Sequence, residues 1–101
     1  AAARVEAPPA VIAYLVDVCR ATRTSPAVRL GVSPRGATAL LRTSRVWAFL
    51  QGRGFVTPDD IKTMAPSTLA HRLGLRAEAN LEGITAANVV SGVLAATPVP
   101  R

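Results

Sequence analysis

The stretch Ser33-Pro34-Arg35-Gly36-Ala37-Thr38-Ala39-Leu40-Leu41-Arg42-Thr43-Ser44-Arg45-Val46-Trp47-Ala48-Phe49-Leu50-Gln51-Gly52-Arg53-Gly54 decides the class of fold. It opens on a hydroxyl followed by Pro, the combination that caps a helix and pre-sets its first dihedral. Leu40, Leu41, Ser44, Trp47 and Ala48 then recur at the spacing of one helical stripe, with Arg42, Arg45 and Phe49 on the other side. Gly52 and Gly54 stop the helix. A helix of this kind cannot bury its stripe alone, so partner helices are expected on both sides of it in the chain.

Upstream, Pro8-Pro9 starts a first helix with Val11, Ile12, Leu15, Val16 and Cys19 on one face and Asp17, Arg20 and Arg23 turned away. Pro26 drives Ser25 out of helical dihedrals, so that helix ends near Thr24 and a loop runs to Val32. Downstream, Thr57-Pro58 repeats the start device with Asp59 and Asp60 in the first turn, where negative charge suits the free N–H groups. Pro66 lacks the N–H that the helix ladder needs, so the segment 58–72 is expected to kink or split near Ala65. Residues 74–83 show no period and read as a connection with a short extended piece near 73–76. Thr85 caps a last helix with Val89, Val90, Val93 and Leu94 inward, ending before Pro98. The expected fold is all-α, a small bundle of four main helices in one domain over 1–101. Residues 1–7 are expected to be a flexible lead and 98–101 a loose tail.

Composition fits that reading. Of 101 residues, half are hydrophobic and only 4% aromatic, so the core is built from Ala, Val, Leu and Ile. Disorder is excluded by that apolar content. One Cys excludes an internal disulfide framework, and no apolar run reaches the roughly 20 residues of a membrane span. The start of the chain has no apolar core of a signal peptide, so a reduced, cytoplasmic setting is expected. Twelve Lys and Arg against six Asp and Glu give a net charge of +6. An anionic partner follows as an expectation.

Catalytic chemistry is scarce. Gly31-Val32-Ser33-Pro34-Arg35 superficially matches a nucleophile elbow, but Pro34 has no N–H to offer an oxyanion hole. Asp59 and Asp60 are accounted for by helix capping. His71, the sole His, has no ligand-type residue at metal spacing, and the only Lys, Lys62, follows Ile61, so there is neither a metal site nor a phosphate-binding P-loop. The chain by itself is not expected to hydrolyse nucleotides. The anomaly is Arg35, a cation at the positive end of a helix, opposing the macrodipole by about 0.3–1 kcal/mol at an exposed site. A bound phosphate would turn that opposition into convergence of N–H groups, dipole and guanidinium; an Arg swung into solvent is the competing reading.

Gly31-Val32-Ser33-Pro34-Arg35, then Gly52-Arg53-Gly54-Phe55-Val56-Thr57-Pro58-Asp59-Asp60-Ile61, then Leu69-Ala70-His71-Arg72-Leu73, together resemble the C-terminal helical lid of MoxR-family AAA+ ATPases. The likeness spans residues 8–101, and Ala21-Thr22-Arg23 also fits the family's ending of the first lid helix. The resemblance implies that Gly31, Ser33, Pro34 and Arg35 form a sensor 2 element, with Arg35 reaching the γ-phosphate of ATP. It also implies that ATP and Mg2+ are held by a core domain outside this chain, of which the chain is a C-terminal fragment. Arg23, Arg42, Arg45 and Arg72 are implied candidates for contacts with neighbouring subunits of a ring, each equally readable as a solvated charge. Chaperone-like remodelling of partner proteins, often with von Willebrand A domain proteins, is the implied role. Gly54 departs from the family's frequent Asp, and Asn80 from a frequent Glu. The main alternative is a small basic helical nucleic-acid-binding domain, which the scatter of Arg through every segment and the few aromatics disfavour. An interaction module without a ligand is the third reading.

Overall fold

The computed structural model describes residues 4–100. In chain order these form α1 (Pro9–Thr24), β1 (Val28–Leu30), α2 (Pro34–Leu50), α3 (Pro58–Leu69) with a 3-10 turn Ala70–Arg72, β2 (Gly74–Leu75), α4 (Ala77–Leu81) and α5 (Ala86–Ala96). Four substantial helices are present, with a fifth short one and a small antiparallel strand pair, β1 against β2. No helix among the described residues is long and apolar enough to cross a membrane.

The helix boundaries follow their caps. Ser33 Oγ accepts from the Gly36 N–H at 3.3 Å and starts α2 with Pro34 as its first residue. Thr57 and Asp60 form a reciprocal capping box at α3, and Thr85 and Asn88 form another at α5. At the far end of α2 the chain leaves through Gln51 and then Gly52, whose φ of +77° is a left-handed conformation that side chains with a Cβ adopt at a cost.

The core lies between α1, α2, α3 and α5, with α2 and α3 making the most extensive contact. Tyr14, Val18, Val32, Leu40, Val56, Ile61, Leu69 and Val90 are its largest fully buried members. Thr43 and Thr68 hydroxyls meet across α2 and α3 at 3.0 Å. Asp60 is buried within its capping box and also pairs with Arg53, the one ion pair among the described residues.

Five expectations change. The buried face of α1 consists of Val11, Tyr14, Leu15, Val18, Cys19 and Thr22, whereas Ile12 is 39% exposed. The stripe is rotated because α1 is apolar on more than one side, and the positions of α2, α3 and α5 choose among them. The loop expected over 25–32 contains β1, which pairs with Gly74–Leu75, so the extended piece expected near 73–76 is one half of a strand pair. Residues 77–81, expected as connection, form α4, too short for periodicity to reveal. Of the kink or split expected near Ala65, the split is absent: α3 runs through Pro66 to Leu69 and only then tightens into the 3-10 turn. Pro66 is half-buried, while Ala65, Thr68 and Leu69 face the core and hold the last turn in place.

The fifth change concerns the lead. Within its described residues, Val5 is buried and Glu6 forms a parallel bridge with Phe55. The Glu6 N–H donates to the Gly54 carbonyl at 3.0 Å and the Val56 N–H donates to the Glu6 carbonyl at 2.8 Å. Residues 1–3 and 101, included in the expected lead and tail, lie outside the described residues.

Candidate functional site

The segment from Gly31 to Arg35 is fastened to the end of α1 before it enters α2. Thr22, fully buried, donates its hydroxyl to the Cys19 carbonyl at 2.6 Å and accepts the Val32 N–H at 3.1 Å. Arg23 donates from Nε and Nη2 to the Val32 carbonyl at 3.2 and 3.1 Å. Both backbone groups of Val32 are therefore held by two adjacent side chains of α1. Glycine at position 31 is demanded by this approach, since a Cβ there would lie 2.5 Å from Arg23 Cγ and 2.8 Å from Arg23 Cα. Gly36 is demanded by the Val32 side chain, whose Cγ1 would stand 2.4 Å from a Cβ at that position.

Beyond this anchor, Ser33 caps α2, Pro34 occupies its first position and Arg35 is exposed in the first turn, which carries no acidic residue. Pro34, Arg35, Thr38, Ala39, Arg42 and Arg72 line one open hollow of about 550 Å³. Arg72 comes from the 3-10 turn after α3, and its Cδ lies 3.5 Å from where a Gly36 Cβ would be. A second hollow of about 350 Å³ continues along α2 and α3, lined in part by Arg42, Thr43, Thr68, His71 and Arg72. Three guanidinium groups thus border a concave surface with no carboxylate in its lining. Such a surface favours an anion, and planar guanidinium groups match the oxygens of a phosphate in a two-point fashion.

The structure brings Gly31, Ser33, Pro34 and Arg35 into one contiguous element, with Arg42 and Arg72 beside it. Arg23, grouped with these on sequence grounds as an outward contact, has its guanidinium engaged within the chain on Val32. Arg45 is half-buried further along α2, outside both hollows. One contributor went unread in the sequence. Thr22 extends the buried α1 stripe one turn past Cys19, and a hydroxyl on such a stripe signals a backbone group to be satisfied. Away from the site, Arg53 is the cation for Asp60, a pairing across seven positions that spans the α2–α3 turn.

A family model described as the AAA lid domain matches residues 20–93. The uncharacterized protein YeaC of Bacillus subtilis is 46% identical over 87 residues, 86% of this chain and 27% of that protein. Protein MoxR of Methylorubrum extorquens is 39% identical over 84 residues, covering 70% of this chain and 24% of that one. Chaperone MoxR1 of Mycobacterium tuberculosis is 31% identical over 101 residues, 91% of this chain and 27% of the chaperone. The crystal structure of a proposed ATPase from Cytophaga hutchinsonii superposes with a TM-score of 0.92 at 27% identity, over 99% of this chain and 33% of that one. The chain spans about a quarter to a third of the length of these proteins.

Proposed function

The chain belongs to the AAA lid domain family and is homologous to MoxR-family proteins over most of its length, and we propose that it works as the nucleotide-sensing lid of a longer MoxR-type ATPase. In this reading Arg35 is the sensor 2 arginine, which reaches the γ-phosphate of ATP held, with Mg2+, by a core domain outside this chain. The observation that carries it is an exposed guanidinium in the first turn of α2, flanked by Arg42 and Arg72 around a hollow without a carboxylate. The residues fit a phosphate: the charge is of the right sign, and the helix start adds the N–H of Arg35, those of Gly36 and Ala37 being taken by Ser33, and Pro34 having none.

The role of each residue follows from its place. Gly31 lets the backbone pass α1, Ser33 caps the helix, Pro34 pre-sets its first dihedral, and Arg35 projects from the turn so formed. A terminal phosphate is the only group that distinguishes ATP from ADP, so Arg35 favours a closed lid only while that phosphate is attached. A ligand shifts an equilibrium by its differential affinity for the two states, and a charged hydrogen bond of about 1.5–3 kcal/mol moves it about 10- to 150-fold. Cleavage then releases the lid, and its motion passes to the next subunit of a ring. Arg42 and Arg72 are the exposed cations for that contact and Arg45 a half-buried one beside them on α2, with chaperone-like remodelling of partners, among them von Willebrand A domain proteins, as the output.

The test is Arg35→Ala in the longer ATPase. Turnover at saturating ATP is expected to fall about 10- to 150-fold, the loss of one charged hydrogen bond. Unchanged turnover together with unchanged ATP affinity would remove Arg35 from the nucleotide site.

A further inference from the structure

We propose that Thr22 and Arg23 are positioning residues for Arg35, acting through Val32. This rests on the reading of Arg35 as the nucleotide sensor. Val32 is gripped on three sides. Its N–H is bound by Thr22 Oγ at 3.1 Å, its carbonyl by Arg23 Nε and Nη2 at 3.2 and 3.1 Å, and its buried side chain abuts the first turn of α2 at Gly36. Thr22 is itself immobilised by its bond to the Cys19 carbonyl at 2.6 Å. Between Val32 and Arg35 stand only Ser33 and Pro34, a residue with a capping bond and one with a fixed φ. The path from α1 to the Arg35 backbone therefore contains few free torsions, and the direction in which α2 starts is set by the last turn of α1.

The consequence is that α1 and the sensor move as one body. A rotation of α1 carries Arg35 with it, and a contact made by Arg35 holds α1. Without the clamp, the helix start gains freedom relative to α1 and Arg35 samples orientations away from the phosphate. Small misplacements of a charged group at a reacting centre have large kinetic effects.

The experiment is a double-mutant cycle on turnover at saturating ATP in the longer ATPase, with thermal midpoints measured on every variant. Arg23→Ala is expected to lower kcat about ten-fold in the wild-type background and less than about two-fold when Arg35→Ala is already present. Arg23→Lys, one ammonium in place of a two-point donor, should fall between. Thr22→Ser keeps both hydroxyl bonds and should retain wild-type kcat, whereas Thr22→Val should behave as Arg23→Ala. Val56→Ala, a buried residue beyond the far end of α2 from the clamp, serves as a control for general loss of stability, and its kcat should stay at the wild-type value. Equal losses from Arg23→Ala in both backgrounds, or a loss in Val56→Ala matching that in Arg23→Ala, would overturn the positioning role while leaving the sensor reading intact. An Arg35→Ala variant with undiminished turnover would overturn both.

Discussion

Cys19 shows how a single side chain ties the acid–base behaviour of the domain to its packing. It is buried beside Thr22, and burial pushes its thiol up to about 11 from an ordinary value of 9, with the nearby Arg23 pulling weakly the other way. Tyr14, in the same core, is also raised, first by burial and then by the Asp59 carboxylate. In each case the folded state prefers the protonated form. For Cys19 this contribution to stability is complete below about pH 9 and is lost as pH rises through about 11. The urea midpoint is therefore expected to fall across that interval, Cys19 accounting for at most about 2–3 kcal/mol. Cys19→Ala should flatten the dependence without abolishing it, because Tyr14 contributes in the same sense. The thiol was readable in the sequence as inward-facing, and so was Arg35 as a cation misplaced on its helix dipole. The grip of Thr22 and Arg23 on Val32 was not readable, since it joins positions nine and ten apart through a turn whose path no periodicity records.

Among the elements, capped starts were the most legible. Ser33, Thr57 and Thr85 each cap a helix start, and of the residues the spacing selects, α2 buries Leu40, Ser44 and Ala48 and α5 buries Val89, Val90 and Val93, while Leu41, Trp47 and Leu94 are half-buried. Helix α1 was misread because its apolar residues offer two adjacent stripes, and only the partners decide between them. Strand β1 owes its existence to β2, some 45 positions away, and a pairing of that separation leaves no local mark. Pro66 misled for an instructive reason. A missing N–H and a ring clash cost a helix about 3 kcal/mol in isolation, yet the burial of Ala65, Thr68 and Leu69 keeps α3 continuous. The penalty is still present in the folded state. Pro66→Ala is expected to raise the stability of the domain by about 1–2 kcal/mol, part of the gain being offset by a freer unfolded chain. A urea titration read by helical circular dichroism measures this, and a lowered midpoint would mean that the ring contributes packing beyond what its half-burial suggests.

Taken whole, the molecule suits the proposed role of a lid that completes a nucleotide site held elsewhere. Arg35, Arg42 and Arg72 supply positive charge on one open surface, and its lining among the described residues offers no enclosing wall for a base or ribose. The 101-residue chain by itself is accordingly expected to bind ATP no more tightly than about millimolar, equivalent to roughly 4 kcal/mol. Isothermal titration at low and moderate salt would measure it, and micromolar binding that survives Arg35→Ala would point to a different pocket. The overall helical class was legible because helix signals dominate the chain; the anchoring of Val5 and Glu6 against Gly54, Phe55 and Val56 was not, because one bridge is too brief to leave a pattern. That bridge decides how the domain bears load. A pull on the polypeptide at residues 4–6 meets the turn joining α2 to α3 before it reaches α1, and two hydrogen bonds of a parallel pair resist it in shear. Tension arriving from that side is thereby diverted into the most extensively packed pair of helices, and the clamp that joins α1 to Val32 is left unloaded.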